Sequence, residues 1–367
     1  MKVSVVILNW NTKGYLRKFL PGVVESCRMF GDACTVVADS GSTDGSVEML
    51  TNEFPDVKVL PLGDNFGFTG GYNRAMKEIG SEYAVLLNSD VEVTEGWLTP
   101  LVDWMDSHPD CCAAGPKILS WSDRGSFEYA GAAGGLIDAF GYPFCRGRVP
   151  GRTESDHGQY DAAPADVFWV SGACMMVRMD AWRELGGLDD RFFAHMEEID
   201  FCWRAQLAGY RISAIPQSSV YHVGGGTLKS DSPEKLRLNF RNNLLLLENN
   251  LARTVIAEGK SEGKALRISR RRIFERMVLD GAAAVAYFIS GSPAKARAVI
   301  SAHKGYRELR HMETAEALRE WAALPHHNGF LKGVYVGSIV LASVLYGHRI
   351  FEHITNKVYE NRYRRSR

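Results

Sequence analysis

Polar side chains that could bind a charged ligand follow a short apolar segment early in this 367-residue sequence. Residues 83–87 have the length and apolar content of a buried parallel strand, and Asn88, Ser89 and Asp90 follow directly. Ligands of open α/β sheets bind outside the carboxyl ends of the strands, so Asp90 would meet a ligand or a metal that the ligand carries. The alternative is a simple Asx turn, because Asn, Ser and Asp are all frequent in turns.

The ends of two earlier predicted strands are polar as well. Asn9 and Asn11 follow the apolar segment 3–8, and Asp39 follows the segment 35–38. Three polar ends at one edge of a sheet predict a nucleotide pocket. In such a pocket Asp39 could accept a hydrogen bond from a base or a ribose, whereas Asp90 is better suited to bind phosphate through a divalent cation. This division of roles fits a nucleoside diphosphate.

A glycine-rich segment, residues 65–71, lies between a predicted strand and a predicted helix. Backbone N–H groups at such a helix start can approach phosphate oxygens. A plain tight loop is the alternative for this segment, since the chain has neither a P-loop nor a spaced GxGxxG motif.

Three acids lie near the start of a later predicted helix, which begins at Phe192 and stops at Gly209. They are Glu197, Glu198 and Asp200. They could supply a catalytic base, or they could only favour the helix dipole. Asp200 also has the i,i+4 spacing for an ion pair with Arg204.

A histidine, His222, stands directly before Val223 and three consecutive glycines. A lone histidine is often structural, but histidine is also the commonest metal ligand. The flexible backbone beside it and the acids upstream make a metal or phosphate role an equal alternative.

The alternation of apolar segments predicts the elements that position these residues. Strands are expected at 3–8, 35–38, 57–60 and 83–87, with helices at 15–27, 46–54 and 71–79 between them. Such a βαβαβαβ order predicts a mainly parallel sheet with helices on both faces. Further on we expect a helix at 97–108 and strands at 113–118 and 210–215, whereas 120–165 shows no regular pattern and predicts a functional or mobile loop.

The pattern changes near residue 250, which predicts an α/β domain at 1–250 and a helical region at 251–367. Helices expected at 265–289 and 292–321 mix basic and apolar residues, which is typical of helices that bind a membrane surface or a partner. The alternative is a helical subdomain with solvated charges. The uncharged segment 333–347 is shorter than the ~20 residues that span a bilayer, so we expect surface attachment.

Composition narrows the possible classes of protein. Lys plus Arg and Asp plus Glu both count 43, which gives no argument for nucleic-acid binding. Seven cysteines without a CxxC pair argue against a disulfide framework or a zinc site and indicate a reducing, cytosolic environment. No charged leader precedes the first strand, so we expect no signal peptide.

Seven ordered motifs within residues 3–250 together resemble the family 2 glycosyltransferases, particularly the bacterial rhamnosyltransferase-like members that build cell-surface polysaccharide. The motifs are 5–11, 39–46, 65–73, 88–90, 169–173, 197–204 and 221–222. The resemblance implies the GT-A fold, which is an α/β fold, with a helical C-terminal extension here. It also implies a nucleotide-sugar donor and inversion at the anomeric carbon.

The resemblance further implies a role for each matching residue. Asp39 would read the base, and the donor would be bordered by Asn9, Asn11, Asn65, Gly71, Asn73, Asn88, Ser89, Asp90 and Gly172. Asp90 and His222 would hold Mg²⁺ or Mn²⁺ on the diphosphate, and Glu198, the second acid of the Glu197–Glu198 pair, would be the base. This sequence departs from the common pattern twice, with Asn88 in place of an Asp and with Glu198 in place of an Asp.

The expected activity is therefore transfer of a hexose such as rhamnose to a lipid-linked glycan, at the inner face of the bacterial cytoplasmic membrane. Two alternatives stay open. A nucleotidyltransferase shares the sheet and the metal requirement, although the Gly-rich, basic first loop of such enzymes is missing. A catalytically silent sugar-binding subunit would account for Asn88.

Overall fold

The structure is a computed structural model that describes residues 1–224, 232–324, 329–354 and 358. The last two glycines after His222 and the arginines after residue 361 lie outside the described residues.

Within these residues the chain forms fourteen strands and eleven α-helices. The strands are β1 (Val3–Asn9), β2 (Ala33–Asp39), β3 (Lys58–Pro61), β4 (Tyr83–Asn88), β5 (Val91–Val93), β6 (Cys111–Ser120), β7 (Gly135–Asp138), β8 (Pro143–Cys145), β9 (Arg148–Val149), β10 (Arg152–Thr153), β11 (Ala165–Asp166), β12 (Cys174–Arg178), β13 (Arg211–His222) and β14 (Val334–Tyr335). The helices are α1 (Lys13–Phe30), α2 (Ser46–Glu53), α3 (Gly67–Lys77), α4 (Leu98–Ser107), α5 (Met179–Glu184), α6 (Glu197–Leu207), α7 (Pro233–Ala257), α8 (Glu262–Ile289), α9 (Pro293–Leu309), α10 (Ala315–Ala322) and α11 (Ile339–Tyr346).

A large sheet forms the centre of the molecule, in the order β11-β13-β6-β12-β4-β1-β2-β3, with β5 paired to β13. The pairs β1/β2, β1/β4, β2/β3 and β6/β13 are parallel, and β12 runs antiparallel between β4 and β6. The short strands β5 and β11 also pair antiparallel, both with β13. The predicted mainly parallel sheet is thus confirmed, with β12 inserted antiparallel among its central strands.

Alternate side chains of the central strands enter two separate cores, one on each face of the sheet. Val5 and Val85 pack with α1, α2 and α4 on one face. Val6 and Leu86 pack with α3, α5, α6 and α7 on the other. This period of two in strands that are buried on both faces explains their continuous apolar sequence.

A second sheet, in the order β10-β9-β8-β7-β14, is built mostly from the segment for which we expected only a functional or mobile loop. The prediction was incomplete because these strands have two to four residues each, too few to show a sequence period. The last strand, β14, comes from the C-terminal region and pairs in parallel with β7.

The largest differences between predicted and observed helix boundaries concern two helices. The helix expected from Phe192 begins only at Glu197, because residues between them adopt positive φ angles. The helix expected over 292–321 is two helices, α9 and α10, which are separated by residues 310–314.

The C-terminal helices α8, α9 and α10 pack against α7, and α7 packs against α6 of the α/β region. The predicted division at residue 250 lies inside α7, whose residues Leu244–Leu247 are buried in the main core. Among the described residues, no helix is long and apolar enough to cross a bilayer. All seven cysteines have free thiols.

Candidate active site

The polar ends of β1, β2 and β4 lie side by side at one edge of the main sheet. Asn9 is in register with Asp39, and Leu8, one residue earlier, is in register with Asn88. The sequence prediction that these ends meet at a common edge is confirmed. It follows from the parallel pairing of three neighbouring strands.

Asp39 is buried at this edge, and hydrogen bonds hold its carboxylate in place. Asn9 Nδ2 donates to Asp39 Oδ2 at 2.7 Å, while the N–H groups of Gly41 and Ser42 donate to Oδ1 at 3.1 and 2.9 Å. The carboxylate is therefore held in one orientation, and its remaining acceptor capacity could take a ligand N–H or O–H.

Asn11 joins the turn after β1 to the loop after β2. Its backbone has a φ of 55°, its N–H donates to Ser42 Oγ at 2.9 Å, and its Oδ1 accepts from the Thr43 N–H at 2.7 Å. Asn9 Nδ2 also donates to Ser42 Oγ at 3.0 Å. The predicted donor residues Asn9 and Asn11 thus shape one continuous rim around Asp39.

The glycine-rich segment begins α3 beside the same edge. Asn65 Oδ1 accepts from the Gly67 N–H at 3.0 Å and shapes the turn into the helix. A Cβ on Gly71 would lie 2.7 Å from a side-chain carbon of Leu8, so glycine permits α3 to approach β1 closely. The role of Gly71 in the structure is packing.

The Asn73 side chain contacts the segment that precedes α6. Its Nδ2 donates to the Leu188 carbonyl and to Asp190 Oδ1, both at 2.8 Å, and its Oδ1 accepts from the Leu188 N–H at 3.0 Å. These bonds occupy both ends of the amide. Among the predicted donor residues, Asn73 is therefore engaged in joining α3 to residues 188–190.

Asp90 and His222 meet at the carboxyl ends of β4 and β13. His222 Nε2 lies 3.2 Å from Asp90 Oδ1 and 3.4 Å from Asn88 Nδ2, and Ser89 is buried in the turn between Asn88 and Asp90. Glu128, which the sequence analysis did not identify, lies on the other side of the ring, with Oε2 3.4 Å from His222 Nδ1.

The charge state of His222 follows from these neighbours. Burial lowers the pKa of His222, but hydrogen bonds and charges from Asp90 and Glu128 outweigh it and raise the pKa to about 10. An imidazolium between two carboxylates thus occupies the position predicted to bind a cation.

The donor set suits Mg²⁺ or Mn²⁺ that arrives with a diphosphate. Such a cation takes one or two ligands from the protein and the others from phosphate and water. Asp90 Oδ1 and His222 Nε2 are adjacent and buried, whereas Glu128 faces Nδ1 and is placed as an outer partner of the ring. Among the residues that the structure describes, no group of three His, Cys, Asp or Glu side chains is arranged to hold a metal ion.

The acid pair lies in the first turn of α6, next to the loop before β12. Glu197 is buried and Glu198 is half-buried, and each carboxylate keeps one oxygen, Oε2, without a hydrogen-bond partner among the described residues. A Cβ on Gly172 would lie 3.7 Å from the Glu198 Cβ, and the next residue, Ala173, accepts the Asn88 N–H at 3.0 Å. The structure thus brings the acid pair, Gly172 and the Asn88–Asp90 turn together.

Burial gives the two acids unusual proton affinities. It raises the pKa of Glu198 to about 7, although nearby backbone N–H groups, including that of Gly172, act in the opposite direction. Burial and the neighbouring charge of Glu198 raise the pKa of Glu197 well above its ordinary value. At neutral pH Glu198 can therefore gain or lose a proton, and the raised pKa of Glu197 favours its protonated form.

The third acid, Asp200, has a structural role. Arg204 Nε donates to Asp200 Oδ2 at 2.8 Å, which confirms the predicted i,i+4 ion pair. Asn249 and Asn250 of α7 donate to its Oδ1 at 2.9 and 2.8 Å. With both oxygens engaged and no exposed surface, Asp200 joins α6 to α7.

Two functional candidates emerge only from the structure. Glu128 has a weak sequence signal, as a single acid between Phe127 and Tyr129 in an apolar segment. Asn242 has a clearer one, because it lies beside Arg241 and Asn243 in the middle of a leucine-rich helix, where buried polar side chains need specific partners.

Family models match most of the α/β region. The model described as "Glycosyl transferase family 2" matches residues 4–133, and the one described as "Glycosyl transferase family group 2" matches residues 84–232. Together the two models include the Asp39, Asp90, Glu198 and His222 positions.

Curated relatives match a similar part of the chain. An N-acetylglucosaminyl-diphospho-decaprenol L-rhamnosyltransferase of Mycobacterium tuberculosis is 27% identical over 263 residues, covering 67% of this chain and 83% of the relative. A low-salt glycan biosynthesis hexosyltransferase, Agl10, of Haloferax volcanii is 23% identical over 248 residues, covering 66% of this chain and 74% of the relative.

Solved structures share the fold at low identity. A mannosyltransferase from Pyrobaculum calidifontis, solved with GDP-Man and Mn²⁺, has a TM-score of 0.51 at 14% identity and covers 84% of this chain and 88% of its own. GalNAc-T7, solved with UDP, GalNAc and Mn²⁺, has a TM-score of 0.52 at 17% identity, covering 68% of this chain and 48% of its own. These similarities concern the fold.

Proposed function

We propose that this chain, which belongs to glycosyltransferase family 2 and has the GT-A fold, transfers a hexose from a nucleoside-diphosphate sugar to a hydroxyl of a lipid-linked glycan, with inversion. The observation that carries the proposal is the meeting of two different groups at one edge of the sheet. The Asp90–His222 pair suits a diphosphate with its cation, and Glu198 beside Gly172 suits a hydroxyl that must lose a proton.

The rim around Asp39 would hold the nucleoside. Asp39, oriented by Asn9 and by the N–H groups of Gly41 and Ser42, would accept a hydrogen bond from the base or the ribose. Asn11 and the turn at Asn65 would border the donor, with the start of α3 close to the phosphates.

Asp90 and His222 would hold Mg²⁺ or Mn²⁺ on the diphosphate. When bound, the cation offsets the negative charge that develops on the leaving diphosphate. Binding there requires His222 Nε2 to be free of its proton, and Glu128 would then accept the remaining Nδ1 proton in a hydrogen bond. Asn88 in place of an acid gives this site one negative charge fewer.

Glu198 would perform the proton transfer. Its carboxylate takes the proton of the acceptor hydroxyl, the hydroxyl oxygen bonds to the anomeric carbon from the face opposite the diphosphate, and the bond to the diphosphate oxygen breaks. A pKa of about 7 leaves enough carboxylate at neutral pH and still makes it an effective base. The raised pKa of Glu197 would disfavour a second negative charge beside Glu198.

The substrate classes come from the relatives. The name of the Mycobacterium tuberculosis relative specifies rhamnose as the sugar and a diphospho-decaprenol glycan as the acceptor. We extend these classes to the present chain, with a hexose donor and a polyprenyl-linked acceptor.

A peripheral position on a membrane surface would bring the enzyme to such an acceptor. On α8, Arg267, Arg270 and Arg271 are exposed, and the same side of the helix continues with exposed Phe274 and Val278. This face offers basic and apolar groups together, as an anionic lipid surface requires. Arg276, another basic residue of α8, is buried with Asp280, so it does not contribute to this face.

Incubation with a panel of nucleoside-diphosphate sugars and polyprenyl-diphosphate N-acetylglucosamine tests the function. We expect release of nucleoside diphosphate and a glycolipid product heavier by one sugar, detected by mass spectrometry. Release of pyrophosphate from a nucleoside triphosphate and a sugar phosphate would instead indicate a nucleotidyltransferase. Donor binding without turnover on any acceptor would indicate a silent sugar-binding subunit.

A further inference from the structure

The segment that leads into the acid pair has a strained backbone. Phe193, His195 and Met196 have φ angles of 63°, 71° and 73°, which residues with a side chain seldom adopt. Phe193, with a ψ of −57°, is the centre of a γ-turn in which the Ala194 N–H donates to the Phe192 carbonyl at 2.7 Å. Such backbone angles are unfavourable for residues with a side chain, so the conformation persists only where its surroundings hold it.

Asn242, a fully buried residue of α7, supplies much of that support. Its Nδ2 lies 2.9 Å from the Phe192 carbonyl oxygen and 2.7 Å from each of the Ala194 and His195 carbonyl oxygens. Arg241 Nε donates to Asn242 Oδ1 at 2.8 Å, which points the N–H₂ end of the amide at the segment.

Two further contacts enclose the segment. Arg241 Nη2 donates to the Phe192 carbonyl at 2.7 Å, and the Thr69 N–H of α3 donates to the Phe193 carbonyl at 3.2 Å. A Cβ on Gly67 would lie 2.5 Å from the Phe193 ring, so the segment also packs against the start of α3. The strained segment is therefore held between α7 and the start of α3, and Glu197 follows it directly.

We propose that Asn242 is a positioning residue, which holds segment 192–196 in its strained conformation and thereby sets the place of the Glu197–Glu198 pair; this rests on the proposed function of that pair. Without the N–H donors of Asn242, the segment can relax toward negative φ and carry the start of α6 with it. A displacement of ~1 Å at reacting groups can lower a rate by ~10²-fold.

Steady-state kinetics of Asn242→Ala and Asn242→Asp test this role. We expect kcat to fall by about 10- to 100-fold while KM for the donor changes by less than about twofold. The matched control is Asn243→Ala, because the neighbouring amide donates to the Gly141 carbonyl, away from the strained segment. That control should keep the wild-type kcat; an equal loss in both variants would overturn the proposal.

A second variant separates support of a strained backbone from ordinary packing. Glycine adopts positive φ without a steric penalty, so Phe193→Gly relieves the strain at the γ-turn. Asn242→Ala should then lower kcat by a smaller factor in the Phe193→Gly background than in the wild type. Equal factors in both backgrounds would show that Asn242 only fills space, and would overturn the proposal.

Hydrogen–deuterium exchange on the full chain gives a readout that does not depend on activity. Amides of residues 192–198 should exchange faster in Asn242→Ala and at the wild-type rate in Asn243→Ala. If the wild-type protein transferred no sugar, the proposed function would fail, whereas exchange would still test the support of the segment. Unchanged exchange in Asn242→Ala would overturn the proposal whatever the activity.

Discussion

The carboxylate of Glu128 lies 3.4 Å from Nδ1 of His222, on the side of the imidazole opposite to Asp90. A carboxylate on the outer nitrogen fixes the orientation of the ring and makes the inner nitrogen, Nε2, the one that faces a cation. Glu128 is itself held, because its Oε2 accepts the Ala130 N–H. This arrangement suggests that the predicted metal site extends one residue beyond the two ligands.

Replacing Glu128 with Gln should therefore weaken metal binding without removing a ligand. We expect Mn²⁺ affinity in the presence of nucleoside diphosphate to fall by about 10- to 100-fold. This affinity can be measured from the electron paramagnetic resonance signal of the Mn²⁺ that remains free in solution. The control is Glu92→Gln, which removes an equal charge from an acid that pairs with Arg124. Wild-type affinity in Glu128→Gln would contradict a role in the site.

Asp90→Ala should remove metal-dependent donor binding. Asp90 is the one carboxylate of the Asn88–Asp90 turn, and no neighbouring acid in that turn can replace it next to the diphosphate. Calorimetric titration of nucleoside diphosphate with and without Mn²⁺ measures the difference. If the metal strengthened binding equally in the variant and the wild type, Asp90 would not be a ligand.

Glu198→Gln should slow transfer by ~10²–10⁴-fold, as is typical for loss of a general base, and leave donor binding nearly intact. Glu197→Gln is the matched variant on the neighbouring residue. Burial and the charge of Glu198 raise the pKa of Glu197 and favour its protonated form, which Gln resembles, so this variant should lose far less activity. The opposite order of the two rates would identify Glu197 as the base.

The same assignment predicts a pH dependence. The base acts only when deprotonated, and burial raises the pKa of Glu198 to about 7, so kcat at saturating Mn²⁺ and donor should fall about tenfold per pH unit below that value and level off above it. A pH–rate profile of the wild type tests this limb. Glu198→Gln should show a flat residual rate across the same range; a limb that persisted in this variant would have to come from another group.

Much of the candidate site could be predicted from sequence because neighbouring parallel strands bring their ends together. Asn9, Asp39 and Asn88 each follow an apolar segment, and the βαβ order makes those segments neighbours in one sheet. The i,i+4 pair of Asp200 and Arg204 was likewise a local feature, set by helix geometry alone.

Features that depend on contacts between distant segments could not be predicted in this way. Glu128 belongs to a region of very short strands, and only the fold brings it to His222. The sequence predicts too early a start for α6, because Phe, His and Met seldom adopt positive φ angles and nothing in the sequence marks Phe193, His195 and Met196 as exceptions. Asn242 of α7, which is 50 residues away in sequence, holds this conformation, so a rule based on neighbouring residues cannot predict it.

One side of α8 exposes a row of large apolar side chains. Phe274, Val278, Val285 and Phe288 are all more than half exposed, and their spacing of four, seven and three residues places them on one side of the helix. Solvent contact of four large apolar side chains is unfavourable, which suggests a surface that covers them. The three exposed arginines at the start of the same face favour an anionic lipid surface.

A truncation at residue 250 would cut α7 and expose the main core, so point variants of the full chain are the better test. Phe274→Ser with Phe288→Ser should abolish flotation with vesicles that contain phosphatidylglycerol. Arg267, Arg270 and Arg271 changed to Gln should weaken flotation most at low salt, because salt screens exposed charges. Met29→Ser, which alters an exposed apolar residue of α1, is the control and should float like the wild type. Wild-type flotation of the double serine variant, together with a change in its oligomeric state, would instead assign this face to contact between two copies of the chain.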